Sequence, residues 1–257
     1  MDLKTTLQRN RVWLLPILAG LALTYLYFAP VFAGKQITQD DIMMGKAKTA
    51  EIERFRAETG EEPLWTNAMF GGMPTFQLAT IYPNNYYVFA QKILQNGLGS
   101  PSSIYIIALL FLTFFFLLKS QEVNPWIAAL GAFAFAFSGF FIISFAAGHL
   151  AKVRTVAYLI PVITGVVLIF KKHWKSGSSI LAIFTGLAVY SNHPQIIFYT
   201  LFLLALLTLA LSIQAIRQGE SSWLVKALPL IVLAAVLGAA PNAGNLWSTV
   251  TYSKESM

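Results

Sequence analysis

Charge is what this sequence has least of. Asp, Glu, Lys and Arg together make 11% of its 257 residues, against about 25% in an ordinary soluble domain. A chain this poor in charge and 56% hydrophobic would not stay dispersed in water as a globule. Cysteine is absent, which excludes disulfides and thiolate chemistry but identifies no compartment. P-loop, GxGxxG, HExxH and GxSxG patterns do not occur, so soluble nucleotide and hydrolase chemistry is not indicated. Internal repeats and low-complexity tracts are missing too, and a transporter built from two related halves gains no support.

What charge there is leans basic, with 18 Lys and Arg against 11 Asp and Glu, a formal net charge of +7. Membrane proteins keep such an excess on cytoplasmic loops facing anionic lipid. With no Arg-rich helix or aromatic-plus-basic motif beside it, the excess argues against a nucleic-acid partner. The pattern predicts an all-α integral membrane protein, one domain over residues 1–257, with about seven transmembrane helices and a long first outer loop. The first span reads as Val12 to Ala33, behind Lys4, Arg9 and Arg11, which place the N-terminus in the cytoplasm. Its length exceeds a signal-peptide core, so it is expected to be an uncleaved anchor. Residues 34–100 read as the outer loop, with a partly amphipathic interfacial helix from Asp41 to Glu58 on Met44, Ala47, Ile52 and Phe55.

Six further spans fall within residues 101–240: Pro101 to Leu118, Pro125 to Ala147, Thr155 to Phe170, Ser178 to Tyr190, Gln195 to Ile216 and Trp223 to Ala240. Alternation then puts Lys119, the Lys171, Lys172 and Lys175 cluster, Arg217 and Lys226 on the cytoplasmic side, as the positive-inside rule requires. Residues 241–257 read as a polar outer tail, and the chain as the N-terminal part of a longer protein. The phenylalanines from Phe133 to Phe141 read as packing or lipid-facing surface, and Gly131 and Gly139 as points of close helix approach.

On the outer face the exceptions gather. His149, Lys152 and Arg154 lie where short loops are poor in basic residues, at the start of a span whose free N–H groups and helix dipole point outward. That combination suits a phosphate, although basic residues at span ends also reach toward lipid phosphates as simple anchors. If the helix begins near His149, the i, i+3 spacing sets His149 and Lys152 on one face. A second outer turn holds Asn192, His193 and Gln195, with Pro194 breaking the helix. Asp40 and Asp41 follow the first span, and either carboxylate is a candidate general base or ligand for a divalent cation, with a helix-capping role for Asp40 the plain alternative.

These residues sit in longer blocks: Gln39-Asp40-Asp41-Ile42, the stretch Thr59-Gly60-Glu61-Glu62-Pro63-Leu64-Trp65-Thr66-Asn67-Ala68-Met69-Phe70-Gly71-Gly72-Met73-Pro74, Gly148-His149-Leu150-Ala151-Lys152, Asn192-His193-Pro194-Gln195 and Asn242-Ala243-Gly244-Asn245-Leu246-Trp247. Together they resemble the YfhO-type bacterial membrane proteins, across the whole chain and most specifically in the Trp-to-Gly-Gly-Met-Pro block. That resemblance implies a GT-C-like glycosyltransferase module in the bacterial cytoplasmic membrane, taking a sugar from a polyprenyl-phosphate donor at the outer face. It implies Asp40 or Asp41 as the acidic residue of the first outer loop. The acceptor, whether a glycan, a teichoic-acid-like polymer or a protein, stays open. His149, Lys152 and Arg154 would hold the donor phosphate, and Trp65 and Asn67 would contact a sugar. The competing readings are a non-enzymatic transporter or flippase for an anionic lipid or its head group, and an inactive assembly scaffold.

Overall fold

The structure, a computed structural model, describes residues 3–78, 84–98 and 103–255, with side chains from residue 12 onward. Twelve α-helices occur among them: α1 (Leu3–Tyr27), α2 (Ala29–Phe32), α3 (Asp40–Thr59), α4 (Tyr86–Gly97), α5 (Tyr105–Ser120), α6 (Pro125–Ala136), α7 (Gly139–Ala147), α8 (Leu150–Phe170), α9 (Trp174–Tyr190), α10 (Pro194–Arg217), α11 (Ser221–Ala239) and α12 (Ala243–Glu255). The sheet among the described residues is a two-residue antiparallel pairing of β1 (Trp65–Thr66) with β2 (Met73–Pro74).

Among the described residues, three helices are long and apolar enough to cross a membrane: α8, α10, and the run from α11 through α12. The bent pair α6 and α7 makes a fourth if taken as one span. Helix α10 carries the physical argument, since its apolar window is entirely unburied. Leu201, Phe202, Leu203, Leu206 and Leu209 are all more than half exposed. A contiguous apolar surface of that size needs hydrocarbon around it.

The bundle is built around α5 and α8. Every residue from Tyr105 to Phe111 is buried, so α5 has no exposed side over two turns and sits in the centre. Helices α8 and α9 meet through Gly165 and Gly177, where an added Cβ would come within 2.7 or 2.8 Å of the opposite carbonyl oxygen. Small residues at that crossing allow backbone contact, the usual way helices associate without a hydrophobic drive between them. Stacked Phe114 and Phe135, 4.1 Å between centroids, tie α5 to α6.

Several boundaries differ from expectation. The first apolar run is not one helix: α1 ends at Tyr27 and α2 begins at Ala29, with Pro30 in its first turn. The expected span from Pro125 to Ala147 is broken by 43° between Ala136 and Gly139, at the Ser-Gly pair that commonly marks a kink. Gly139 therefore opens α7 and has no neighbour that a Cβ would meet, whereas Gly131 does lie against Leu118. The expected polar tail is helical, as α12. The expected start of a span at Pro101 lies outside the described residues.

Within the expected outer loop, the helix expected from Asp41 to Glu58 is present as α3, and α4 adds a second that was not expected. Helix α3 buries Ile52 alone, and Met44 and Phe55 stay exposed. Helix α4 bridges the ends of three other helices. Its Asn85 cap accepts from Tyr87 N–H, and Tyr87 Oη donates to the Gly238 carbonyl at 2.9 Å. At the other end, Leu98 carbonyl accepts from Tyr25 Oη. Buried Asn242 completes the clamp, accepting from Asn85 Nδ2 at 2.8 Å and donating to the Gly186 carbonyl at 3.0 Å.

Candidate functional site

Turns at the two ends of the bundle have different chemistry. At one end Lys171 donates to Ser120 carbonyl and lies 3.6 Å from Glu122, while Lys172 meets Glu220 at 2.5 Å. Lys119 lies over the Trp13 ring at 5.0 Å. The cleft here, about 750 Å³, has both of these lysines and both glutamates in its lining. Its charges are mutually satisfied.

The opposite end collects Asp41, His149, Lys152, Arg154, Ser191 and His193. Its first joint is the approach of α3 to the α7–α8 turn. Gly148 takes φ +94°, a left-handed conformation, and a Cβ there would fall 3.1 Å from Asp41 Cβ and 3.2 Å from Ile42 N. Gln39 Nε2 donates to the Phe145 carbonyl at 2.5 Å and holds the same joint. Asp41 Oδ2 then lies 2.5 Å from His149 Nδ1, with both side chains about half exposed. An exposed pair of this kind adds about 0–1 kcal/mol to stability, so its main consequence is orientation: Nδ1–H points at the carboxylate and Nε2 is left outward. Gln39 is the N-cap residue of α3 and Asp40 its first helical residue, so the capping role considered for Asp40 is not what the fold uses. Asp40 itself is exposed, and among the described residues no hydrogen bond or ion pair involves its carboxylate.

Helix α8 starts at Leu150, with His149 as N-cap and no acidic residue or side-chain cap in its first turn. Lys152 and Arg154 therefore belong to the helix itself, five residues earlier than the apolar pattern alone indicates. Two cations at the positive end of a helix dipole repel it; an anion would relieve both. Arg154 faces α9, with Nε donating to Ser191 Oγ at 3.1 Å. Lys152 is half-buried and stands close enough to His193 to act on its charge. Burial depresses the His193 pKa below its ordinary value, and the charges of Lys152 and His149 push the same way. His193 Nδ1 is buried without a hydrogen bond to another of the described residues. Asn192, at φ +53°, lies 3.5 Å from Asn245 of α12.

A cleft of about 580 Å³ adjoins the Asp41–His149 pair, lined by Lys35, Gln36, Gln39 and Ser103 with Val31, Ile42 and Leu150. That volume falls in the ordinary small-molecule range. Lys35 and Gln36 carry no sequence signal beyond their position just before the Asp40-Asp41 pair, and Ser191 none beyond opening the outer turn of Asn192 and His193. Among the described residues, no group of three or more His, Asp or Glu side chains forms a metal ligand set. A divalent cation on Asp40 or Asp41 would draw its other ligands from backbone, water or substrate.

Trp65, Asn67 and Gln195 stand apart. Trp65 Nε1 donates to Asn67 Oδ1 at 3.2 Å, and Asn67 N–H to Glu51 at 3.0 Å. Glu51 also accepts from the Thr66 hydroxyl, the leading reason its carboxyl is held below the usual range. Glu51 is ten residues along α3 from Asp41, about 15 Å at the helical rise. Gln195 donates to Tyr199, one turn further along α10. No family model, curated protein or solved structure matches the chain.

Proposed function

We propose that the chain is the catalytic module of a GT-C-type membrane glycosyltransferase that uses a polyprenyl-phosphate-linked sugar at the extracytoplasmic face of a bacterial cytoplasmic membrane. The observation that carries the reading is the contact between Asp41 and His149, which brings the first-loop carboxylate against the cationic start of α8. A seven-span arrangement in this reading uses α1, α5, the α6–α7 pair, α8, α9, α10 and α11, and sets the His149 end outside.

The chemistry divides between the residues. Transfer breaks the bond from the sugar's anomeric carbon to the lipid phosphate and forms one to an acceptor hydroxyl. The acceptor's proton goes to His149 Nε2, while Asp41 fixes the tautomer and stabilises the imidazolium that forms. This moves the general-base role from the carboxylate to the histidine. Lys152 and the free N–H groups at the start of α8 receive the departing phosphate, with Arg154 beside them. The cleft lined by Lys35, Gln36 and Gln39 is placed for the sugar or acceptor.

The test is binding of a polyprenyl phosphate to purified protein in nanodiscs. Lys152→Gln keeps a polar side chain of similar reach but loses a charge-assisted contact of about 1.5–3 kcal/mol, a weakening of roughly 10-fold to 150-fold. Unchanged affinity would make the start of α8 a membrane anchor and remove the donor-phosphate site.

A further inference from the structure

The cleft of about 750 Å³ between the turns after α5, α8 and α10 has charge at its rim and hydrocarbon along its walls. Glu122, Lys171, Lys172 and Glu220 all line it. Below them, Ile163, Val167 and Phe170 follow at four and three residues on α8, and Leu207, Leu211, Gln214 and Gln218 at four, three and four on α10. Each set is therefore one stripe of its helix. From Ile163 to Phe170 the wall is about 10 Å long at the helical rise, part of the way into a leaflet whose hydrocarbon is about 15 Å deep. Ile163, Phe170, Leu207 and Leu211 are only half-buried, so the protein does not close the slot between α8 and α10.

The rim is neutral as a whole without being saturated. An ammonium has three N–H donors and a carboxylate about four lone-pair positions. Lys172 uses one donor on Glu220, and Lys171 one on the Ser120 carbonyl, with Glu122 3.6 Å away. The backbone under two of these side chains is uncommon. After α5, Val123 N–H closes back on the Leu118 carbonyl, and after α8, His173 N–H on the Leu168 carbonyl. Such a turn needs a left-handed residue at the position before the donor, where glycine is usual. Here that residue is Glu122, at φ +62°, and Lys172, at φ +65°. Two charged side chains thus stand on the rim where the backbone favours having none.

We propose that the cleft binds one molecule of phosphatidylethanolamine. Its phosphate meets Lys171 and Lys172, its primary ammonium meets Glu122 and Glu220, and the upper part of an acyl chain lies between α8 and α10. Charge complementarity selects this lipid. The phosphate of an anionic lipid would face the two carboxylates with nothing to offer them. A choline head has no N–H to donate, and the lining supplies Phe170 but no cage of rings for a quaternary ammonium. The site lies at the opposite end of the bundle from Asp41 and His149 and is independent of the glycosyl-transfer reading. It requires only that this end of the spans meets a headgroup layer.

The test is native mass spectrometry of the full chain, purified in detergent, stripped of lipid and titrated with phosphatidylethanolamine, phosphatidylcholine or phosphatidylglycerol of identical acyl chains. One phosphatidylethanolamine is expected to bind roughly 10-fold more tightly than either of the others, the worth of about one charge-assisted hydrogen bond. Glu122→Gly and Lys172→Gly each supply the residue the turn prefers, so the fold should hold while the preference falls. Lys175→Gln, outside the lining, should leave it unchanged. Equal affinity for the ethanolamine and choline lipids overturns the headgroup assignment, and tightest binding of phosphatidylglycerol overturns it in favour of an anion site. An undiminished preference in both glycine variants overturns the location. Should a glycine variant fail to fold, Glu220→Gln, which keeps the side-chain size and loses the charge, decides the location in its place.

Discussion

Asp40 and Asp41 are adjacent, chemically identical and separable only by where the fold sends them. Asp41 meets His149 at 2.5 Å, and Asp40 is exposed. On the proposed glycosyl-transfer reading, His149→Gln is therefore expected to lower transfer by roughly 10²-fold to 10⁴-fold, the usual range for losing a general base. Asp41→Asn should cost less, because the amide oxygen still accepts from Nδ1–H. Asp40→Asn should stay near wild type. Loss on Asp40→Asn alone, with Asp41→Asn active, would reverse the assignment. His193 gives a second test through its depressed pKa. A histidine that resists protonation when folded contributes stability that is present above its unfolded value, about 6.5. That contribution is lost as the pH falls through the folded value. Thermal melts from pH 7.5 to 5.0 should fall more steeply for the wild type than for His193→Gln. Parallel curves would mean that burial of this ring is not coupled to folding.

At the scale of elements, apolar periodicity located α10 and α11 to within two residues at each end and the ends of α8 and α9, but missed the starts of α8 and α9. Leu150 to Arg154 and Trp174 to Gly177 are helical, yet hydropathy marks only the part that meets hydrocarbon, not the part that makes the hydrogen bonds. The convergence of Asp41 with His149 was legible because topology alone places their turns on one face. Its partner choice was not, since Gly148 packing decides which carboxylate arrives. Trp65 and Asn67 stand apart from that pair, held by Glu51 and the short hairpin, a separation that topology alone does not give. That hairpin turns on Gly72, at φ +129°, where a Cβ would lie 2.7 Å from the Trp65 indole. Gly72→Ala should destabilise the hairpin by about 1–3 kcal/mol and raise amide exchange from Leu64 to Thr75 while leaving α8 to α11 protected. An unchanged exchange pattern would show that the indole moves aside at no cost.

The arrangement of the whole molecule ties these sites to one side of a membrane. The turns after α5, α8 and α10 meet one another through Ser120, Glu122, Lys171, Lys172 and Glu220. Those before α3, α8 and α10 gather Asp41, His149, Ser191 and His193. The first set is mutually paired, and the second adjoins Lys152 and Arg154, which have no acidic partner among the described residues, so the two ends suit different surroundings. In the proposed orientation the Lys171 end, which carries more Lys and Arg close to span ends, lies in the cytoplasm, the side that positive-inside bias favours. The absence of cysteine makes the assignment directly testable, since a single introduced thiol has no background within the chain. Thr38→Cys, Ala146→Cys and Gln195→Cys are expected to react with a membrane-impermeant maleimide in intact cells, and Lys175→Cys only after permeabilisation. Labelling of Lys175→Cys in intact cells with protection of Ala146→Cys would turn the molecule over. The Asp41–His149 pair would then face the cytoplasm, where an outer-face sugar donor could not reach it.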